Sequence, residues 1–359
     1  MTVCVGIIPN PASGRDLRRL TGHAGLVSST EKAGAVMRLL GALGSTGVER
    51  VLLPPDMTGI AAAVLKASAG RQALANRWPR IDYLDMPLSQ SVDDTRLAAR
   101  MMVEAGVSLI AVLGGDGTHK AVAAQVGDVP LLTLTTGTNN AFPDQREATS
   151  AGLAAGLLAC GRVPAAIALR RNKRLLLEIP ERNLCEWALV DIAVCAQAYN
   201  GARAVTRIED IEEVFVAFAE PGAIGISALC GLWQPVSRQD PRGAWLRLHP
   251  QARERLIVPL APGVLQEAGI VAGGPLQPGC PRRPTSDAGT FALDGEREIE
   301  FGPEDTPTIR VDGQGPLSID VERVLAHAAR QRLLLRHVPA RFDPLTGEQQ
   351  CPMHPVSSN

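Results

Sequence analysis

Three short runs carry residue types suited to holding phosphate. The most telling is Gly114-Gly115-Asp116-Gly117-Thr118. Its glycines let the backbone turn sharply and approach a ligand without Cβ interference. Thr118 is placed to cap a helix running to about Val126, which would leave the helix's first amides and positive dipole end for an anion. Asp116 beside phosphate is costly unless it meets Mg2+ or accepts a proton from a hydroxyl nucleophile. A plain Asp-Gly turn is the competing reading; the apolar strand and Gly-Gly pair ahead of Asp116 favour the phosphate site. The other two runs are Asn10-Pro11-Ala12-Ser13-Gly14 and Thr136-Gly137-Thr138-Asn139-Asn140. A separate acidic turn, Asp294-Gly295-Glu296, lies in the C-terminal half, where Asp-Gly between alternating strands is equally a hairpin signal.

Each of the three runs follows a short apolar stretch: Val3 to Ile8, Leu109 to Leu113, and Pro130 to Leu134. Further strands are expected at Val48 to Leu53 and Ile81 to Leu84. Helices are expected at Ser29 to Leu43, capped by Ser29 or Thr30, at Thr58 to Ala69 and at Ser91 to Glu104. Uninterrupted apolar strands alternating with helices imply a parallel sheet covered on both faces, with ligands at the carboxyl ends of its strands. After a helix at Ala148 to Cys160 the pattern becomes β-rich, with strands at Arg174 to Ile179 and Trp187 to Val194. Val214 to Val236 reads as a buried helix and turn. The fold class is α/β: a Rossmann-like, doubly wound parallel-sheet domain over residues 1–145, a β-rich domain over 146–320, and the site in the cleft between them. A helix at 321–337, capped by Asp320, is expected to pack back on the first domain, ahead of an extended or disordered tail at 338–359.

Composition excludes several classes. A net charge of −1 argues against a nucleic-acid binder. Seven dispersed cysteines with no C-x-x-C pair read as reduced thiols, and no zinc spacing occurs. The N-terminus opens on a strand-like run rather than a leader, so a cytoplasmic location without a membrane partner is expected. Lysines are confined to Lys32, Lys66, Lys120 and Lys173. The basic run Arg170 to Arg174 reads as a solvated loop, and His119 as a helix-surface residue.

The run Gly114 to Thr118 resembles the signature of the superfamily uniting NAD kinases, diacylglycerol and sphingosine kinases, and phosphofructokinases. Asn10 to Gly14 resembles the first-strand motif of its lipid-kinase and ATP-NAD kinase-like members. Gly137 to Phe142 resembles their third loop, with Asn139 where glycine is frequent and Ala141 where aspartate is. Together with chain length, the run through Pro143 is most similar to an acetoin-catabolism branch of the ATP-NAD kinase-like group. Asp294-Gly295-Glu296 resembles the acidic turn of the second domain. Ala188-Leu189-Val190-Asp191 is similar to an NAD kinase element in which Val190 replaces asparagine.

The resemblance implies a kinase moving the terminal phosphate of Mg-ATP to a hydroxyl of NAD or a related metabolite. Nucleotide would be bound by Asn10, Ser13, Gly14, Gly114, Gly115, Gly117, Thr118, Gly137, Thr138, Asn139, Asn140 and Asp191. NAD kinases point to Asp116 as the base; lipid kinases point to Glu296, with Asp294 helping the metal, so Mg2+ would lie at Asp116 or Asp294. Val190 cannot hydrogen-bond a base, which sets NAD as acceptor in question. A lipid kinase and a non-catalytic nucleotide or dinucleotide sensor are the alternative readings. Relatives imply a homodimer or homotetramer.

Overall fold

The computed structural model describes residues 2–13, 27–75, 77–137, 140–196 and 204–336. Its first half lays down five strands, β1 (Cys4–Pro9), β2 (Arg50–Leu53), β3 (Arg80–Tyr83), β4 (Ile110–Gly114) and β5 (Leu131–Thr135). Between them run α1 (Ser29–Thr46), α2 (Ile60–Ser68), α3 (Arg71–Ala75), α4 (Val92–Glu104) and α5 (Asp116–Val126). All neighbouring pairs among these strands are parallel, in the order β3-β2-β1-β4-β5. β1 and β4 are buried along their whole length, because helices cover both faces. Strand order reverses beside β1, opening a crevice at the carboxyl ends of β1 and β4.

Helix boundaries follow local chemistry. α1 is capped by Ser28 rather than Ser29 or Thr30: its side chain accepts from Glu31 N–H while the Glu31 side chain reaches back. Gly47 ends α1 at φ 108°. α5 begins at Asp116 with Gly115 as N-cap, so Thr118 sits inside the first turn instead of capping it.

Helices α6 (Ala148–Ala159) and α7 (Ala165–Ala168) lead into the second half. There the strands are β6 (Leu169–Arg171), β7 (Arg174–Ile179), β8 (Leu184–Ala188), β9 (Asp191–Cys195), β10 (Ile211–Val216), β11 (Gly243–Leu248), β12 (Glu254–Ala261), β13 (Val264–Leu276), β14 (Gly289–Leu293), β15 (Glu296–Phe301), β16 (Thr308–Asp312) and β17 (Leu317–Ile319). An antiparallel sheet, β12-β13-β11-β10-β9-β14-β15, packs its inner face against the small sheet β16-β7-β8. Its other face is covered by α8 (Ser227–Trp233). β17 returns to pair with β5 and β6, and α9 (Val321–Arg330) then packs on α6 and α7.

Several expectations are corrected. Val214 to Val236 is not a helix and turn; it begins in strand β10 and reaches helix α8 only at Ser227. Trp187 to Val194 is two strands, broken at Leu189-Val190. α9 is capped by Asp320 but ends at Arg330. Arg170 to Arg174 is not a solvated loop: Asn172 and Lys173 are buried, and Lys173 Nζ donates to the carbonyls of Ser237 (3.1 Å) and Arg242 (2.7 Å). Burial pushes the Lys173 pKa down to about 8. The expected tail at 338–359 lies outside the described residues.

Candidate functional site

Three loops meet at the carboxyl edge of the parallel sheet. Asn10 leaves β1 with its N–H on Leu113 O at 2.9 Å, and its side-chain amide donates to Thr118 Oγ1 at 2.7 Å. Its Oδ1 accepts from Ala12 N–H, turning the chain. Ser13 Oγ donates to Asn10 O at 2.8 Å and lies 2.7 Å from Thr136 Oγ1. The first loop therefore holds both of the others. Gly14, Thr138 and Asn139 lie outside the described residues.

Two glycines of the second loop are needed for packing within the protein. A Cβ on Gly114 would stand 2.5 Å from that of Thr118, and one on Gly115 would stand 2.6 Å from Asn140 Oδ1. Gly117 differs: it is exposed, and nothing lies within 4 Å of where its Cβ would project. That open space, beside first-turn amides without an intrahelical acceptor, is where an anion can approach.

Asp116 faces the third loop. Its two oxygens accept from the backbone N–H groups of Ala141 (3.1 Å) and Phe142 (2.9 Å). Asn140 Oδ1 accepts from Asp116 N–H, and its Nδ2 donates to Thr135 Oγ1 at 2.9 Å. Thr135 Oγ1 also serves both Gly137 N–H and Gly137 O. Asn140 thus locks the second loop to the third. His119 is fully buried rather than a surface residue; its Nδ1 lies 2.9 Å from Gly115 O. Burial pushes its pKa down to about 4, so it is neutral in the fold.

The acidic turn of the second domain is built in the same way. Asp294 (φ 51°) and Gly295 (φ 86°) are both left-handed, as a two-residue hairpin turn requires. The Asp294 carboxylate accepts from Leu189 N–H (3.0 Å) and Val190 N–H (2.8 Å), which explains the break between β8 and β9. Desolvation raises the Asp294 pKa; Lys120 and the backbone amides act in the opposite direction. Lys120 stands on α5 of the first domain, so the two domains sense each other's charge here. Val190 is 1% exposed and packs in the second-domain core, so its side chain does not line the cleft. Asp191 is buried at the head of β9, whereas Glu296 is exposed at the start of β15.

Two residues that motif reasoning missed fasten these loops. Lys32, from α1, is 2% exposed and donates to the carbonyls of Asn10 (3.0 Å), Pro11 (3.1 Å) and Ser13 (2.7 Å). Arg238 of the second domain donates to Phe142 O at 2.9 Å and to Ala141 O, and stacks 4.2 Å from the Phe218 ring centroid. Ala141 and Phe142 are consequently gripped by their amides from one domain and by their carbonyls from the other. The Phe142 ring, 1% exposed, is embedded in the second-domain core. A lone lysine carried no motif, while Arg238 lies in an irregular, Pro-punctuated stretch.

Among the described residues no three His, Cys, Asp or Glu side chains converge as a metal cage. Mg2+ needs no such cage, since it binds through substrate phosphates, water and one or two carboxylates. Exposed Glu296 fits that role better than Asp294, whose oxygens hold amides. Among the described residues no helix is long and apolar enough to cross a membrane.

Residues 5–163 match the ATP-NAD kinase N-terminal domain, and residues 173–314 match the acetoin catabolism protein X C-terminal domain. Acetoin catabolism protein X of Cupriavidus necator is 44% identical over 335 residues, covering 92% of this chain and 93% of that protein. A crystal structure assigned as a diacylglycerol kinase from Bacillus anthracis str. Sterne aligns over 88% of this chain and 96% of its own, at 11% identity and a TM-score of 0.43. Matched by these two domain models over residues 5–163 and 173–314, and by that relative over 92% of its length, the chain belongs to the acetoin catabolism protein X family.

Proposed function

We propose that the protein is an NAD kinase-like phosphotransferase that moves the terminal phosphate of Mg-ATP to a hydroxyl of NAD or a related small metabolite, in acetoin catabolism. The observation that carries this is the three-loop hub at the sheet edge, open at Gly117, on a helix whose Lys120 interacts electrostatically with Asp294 of the second domain's acidic turn. ATP phosphates would lie on the first-turn amides of α5, flanked by Asn10 and Ser13. Phosphoryl transfer depends mainly on such positioning and charge neutralisation. Mg2+, carried on the phosphates and met by Glu296, would neutralise charge on the transferring group. The alcohol oxygen attacks the terminal phosphorus, ADP leaves, and the hydroxyl proton passes to a carboxylate.

Motif content does not choose between Asp116 and Glu296 for that carboxylate; we favour Glu296, because Asp116 is engaged in holding the third loop. Both Asp116 oxygens hold the third loop in place, while Glu296 is exposed. The test is incubation with Mg-ATP and NAD, followed by chromatographic separation of nucleotides. NADP or another phosphorylated acceptor together with ADP supports the reading; their absence across a panel of hydroxylated metabolites removes it. The same use of Asp116 and Asp294 as amide acceptors favours a second reading, a nucleotide sensor without turnover. Tight Mg-ATP binding with no product would select it.

A further inference from the structure

Among the large side chains of the described residues that are essentially sealed from solvent is a lysine, although α1 supplies several leucines for the same core. Burying an ammonium is costly unless its protons are well bonded. Lys32 meets that cost under the turn that follows β1, where carbonyls of Asn10, Pro11 and Ser13 converge on Nζ within 2.7–3.1 Å. The residues it holds from below carry the ties made above, Asn10 to Thr118 and Ser13 to Thr136. One ammonium thus fixes the backbone from which both neighbouring loops are positioned.

We propose that Lys32 is the buried positive charge of the phosphate site, a positioning residue that sets affinity for the polyphosphate of the nucleotide without touching it. This rests on the nucleotide reading given under Proposed function. Two effects act together. The ammonium offsets the negative ends of three carbonyl dipoles, so the first loop does not repel an anion. Its charge, shielded from water, also acts on that anion through a medium less polarisable than solvent.

With only four lysines in the chain, full-length protein labelled with lysine 15Nζ supplies a direct readout. Inorganic tripolyphosphate added to the wild-type protein is expected to move the Lys32 signal, assigned with Lys32→Arg, while leaving that of Lys66 in place. In parallel, Lys32→Met is expected to bind tripolyphosphate about tenfold more weakly, the size of one partly screened charge interaction, with adenosine affinity unchanged. In turnover its effect should fall on KM for ATP more than on kcat. Should Lys32→Met not fold, the wild-type signal decides alone. Tripolyphosphate binding with a stationary Lys32 signal, or equal binding by folded Lys32→Met, overturns the proposal. A wild-type protein that binds neither tripolyphosphate nor ATP overturns the nucleotide reading and this proposal together.

Discussion

Replacing Asp116 with asparagine separates a structural from a chemical role for the acid of the Gly-Gly-Asp-Gly-Thr turn. In the fold its carboxylate accepts two backbone amides, from Ala141 at 3.1 Å and Phe142 at 2.9 Å. Hydrogen bonds to a charged acceptor contribute roughly 1.5–3 kcal/mol each. Asparagine keeps one neutral acceptor, worth about 1 kcal/mol, and turns an NH2 group toward the other amide, leaving that N–H unmatched. The net loss is about 3 kcal/mol, which lowers the melting temperature by about 6–12 °C in a domain of this size. Urea unfolding and hydrogen exchange at Ala141 and Phe142 measure it, with faster exchange expected at those two amides. If Asp116→Asn is as stable as the parent to within about 0.5 kcal/mol and yet abolishes turnover, the carboxylate is chemical and the structural assignment is wrong.

The buried His119 makes stability depend on acid. Its folded pKa of about 4 lies below the unfolded value, so the unfolded chain takes up a proton first and stability falls as pH drops from about 6.5 to 4. The loss is about 3 kcal/mol. Urea midpoints against pH should show it and His119→Gln should flatten it; parallel curves would contradict the assignment. Gly117→Ala should fold with stability equal to or up to about 1 kcal/mol above the parent, because its Cβ meets nothing and alanine suits a helix. It should nevertheless weaken Mg-ATP binding by calorimetry, whereas unaltered affinity would move the phosphate elsewhere. Arg238→Met removes two carbonyl bonds across the domain boundary, at a cost of about 3 kcal/mol. Hydrogen exchange should then quicken on both sides of the cleft, and unchanged protection of 141–142 would refute the grip.

Legibility in the sequence divides along range of interaction. The parallel sheet was readable because β1, β4 and β5 are continuous apolar runs ended by turn residues. The three loops were readable as glycine and asparagine clusters in order. Val214 to Val236 misled because a buried strand and a buried helix are both simply apolar, and periodicity cannot separate them. The break between β8 and β9 was invisible because its cause, Asp294, stands more than a hundred residues away. Lys32 and Arg238 were missed for the same reason: each acts on carbonyl groups of another element, which leave no trace in residue type. Val190 was read as a change in the base pocket, yet its side chain belongs to the core and its backbone N–H and C=O bond Asp294 and Ala217.

The most direct measurement is a crystal structure of the protein with Mg2+ and a non-hydrolysable ATP analogue. The account predicts the phosphates on the first turn of α5 beside Gly117, flanked by Asn10 and Ser13, with Glu296 facing them and Asp116 still bonded to Ala141 and Phe142. Phosphates bound away from Gly117, or an Asp116 carboxylate released from the third loop onto the metal, would contradict it.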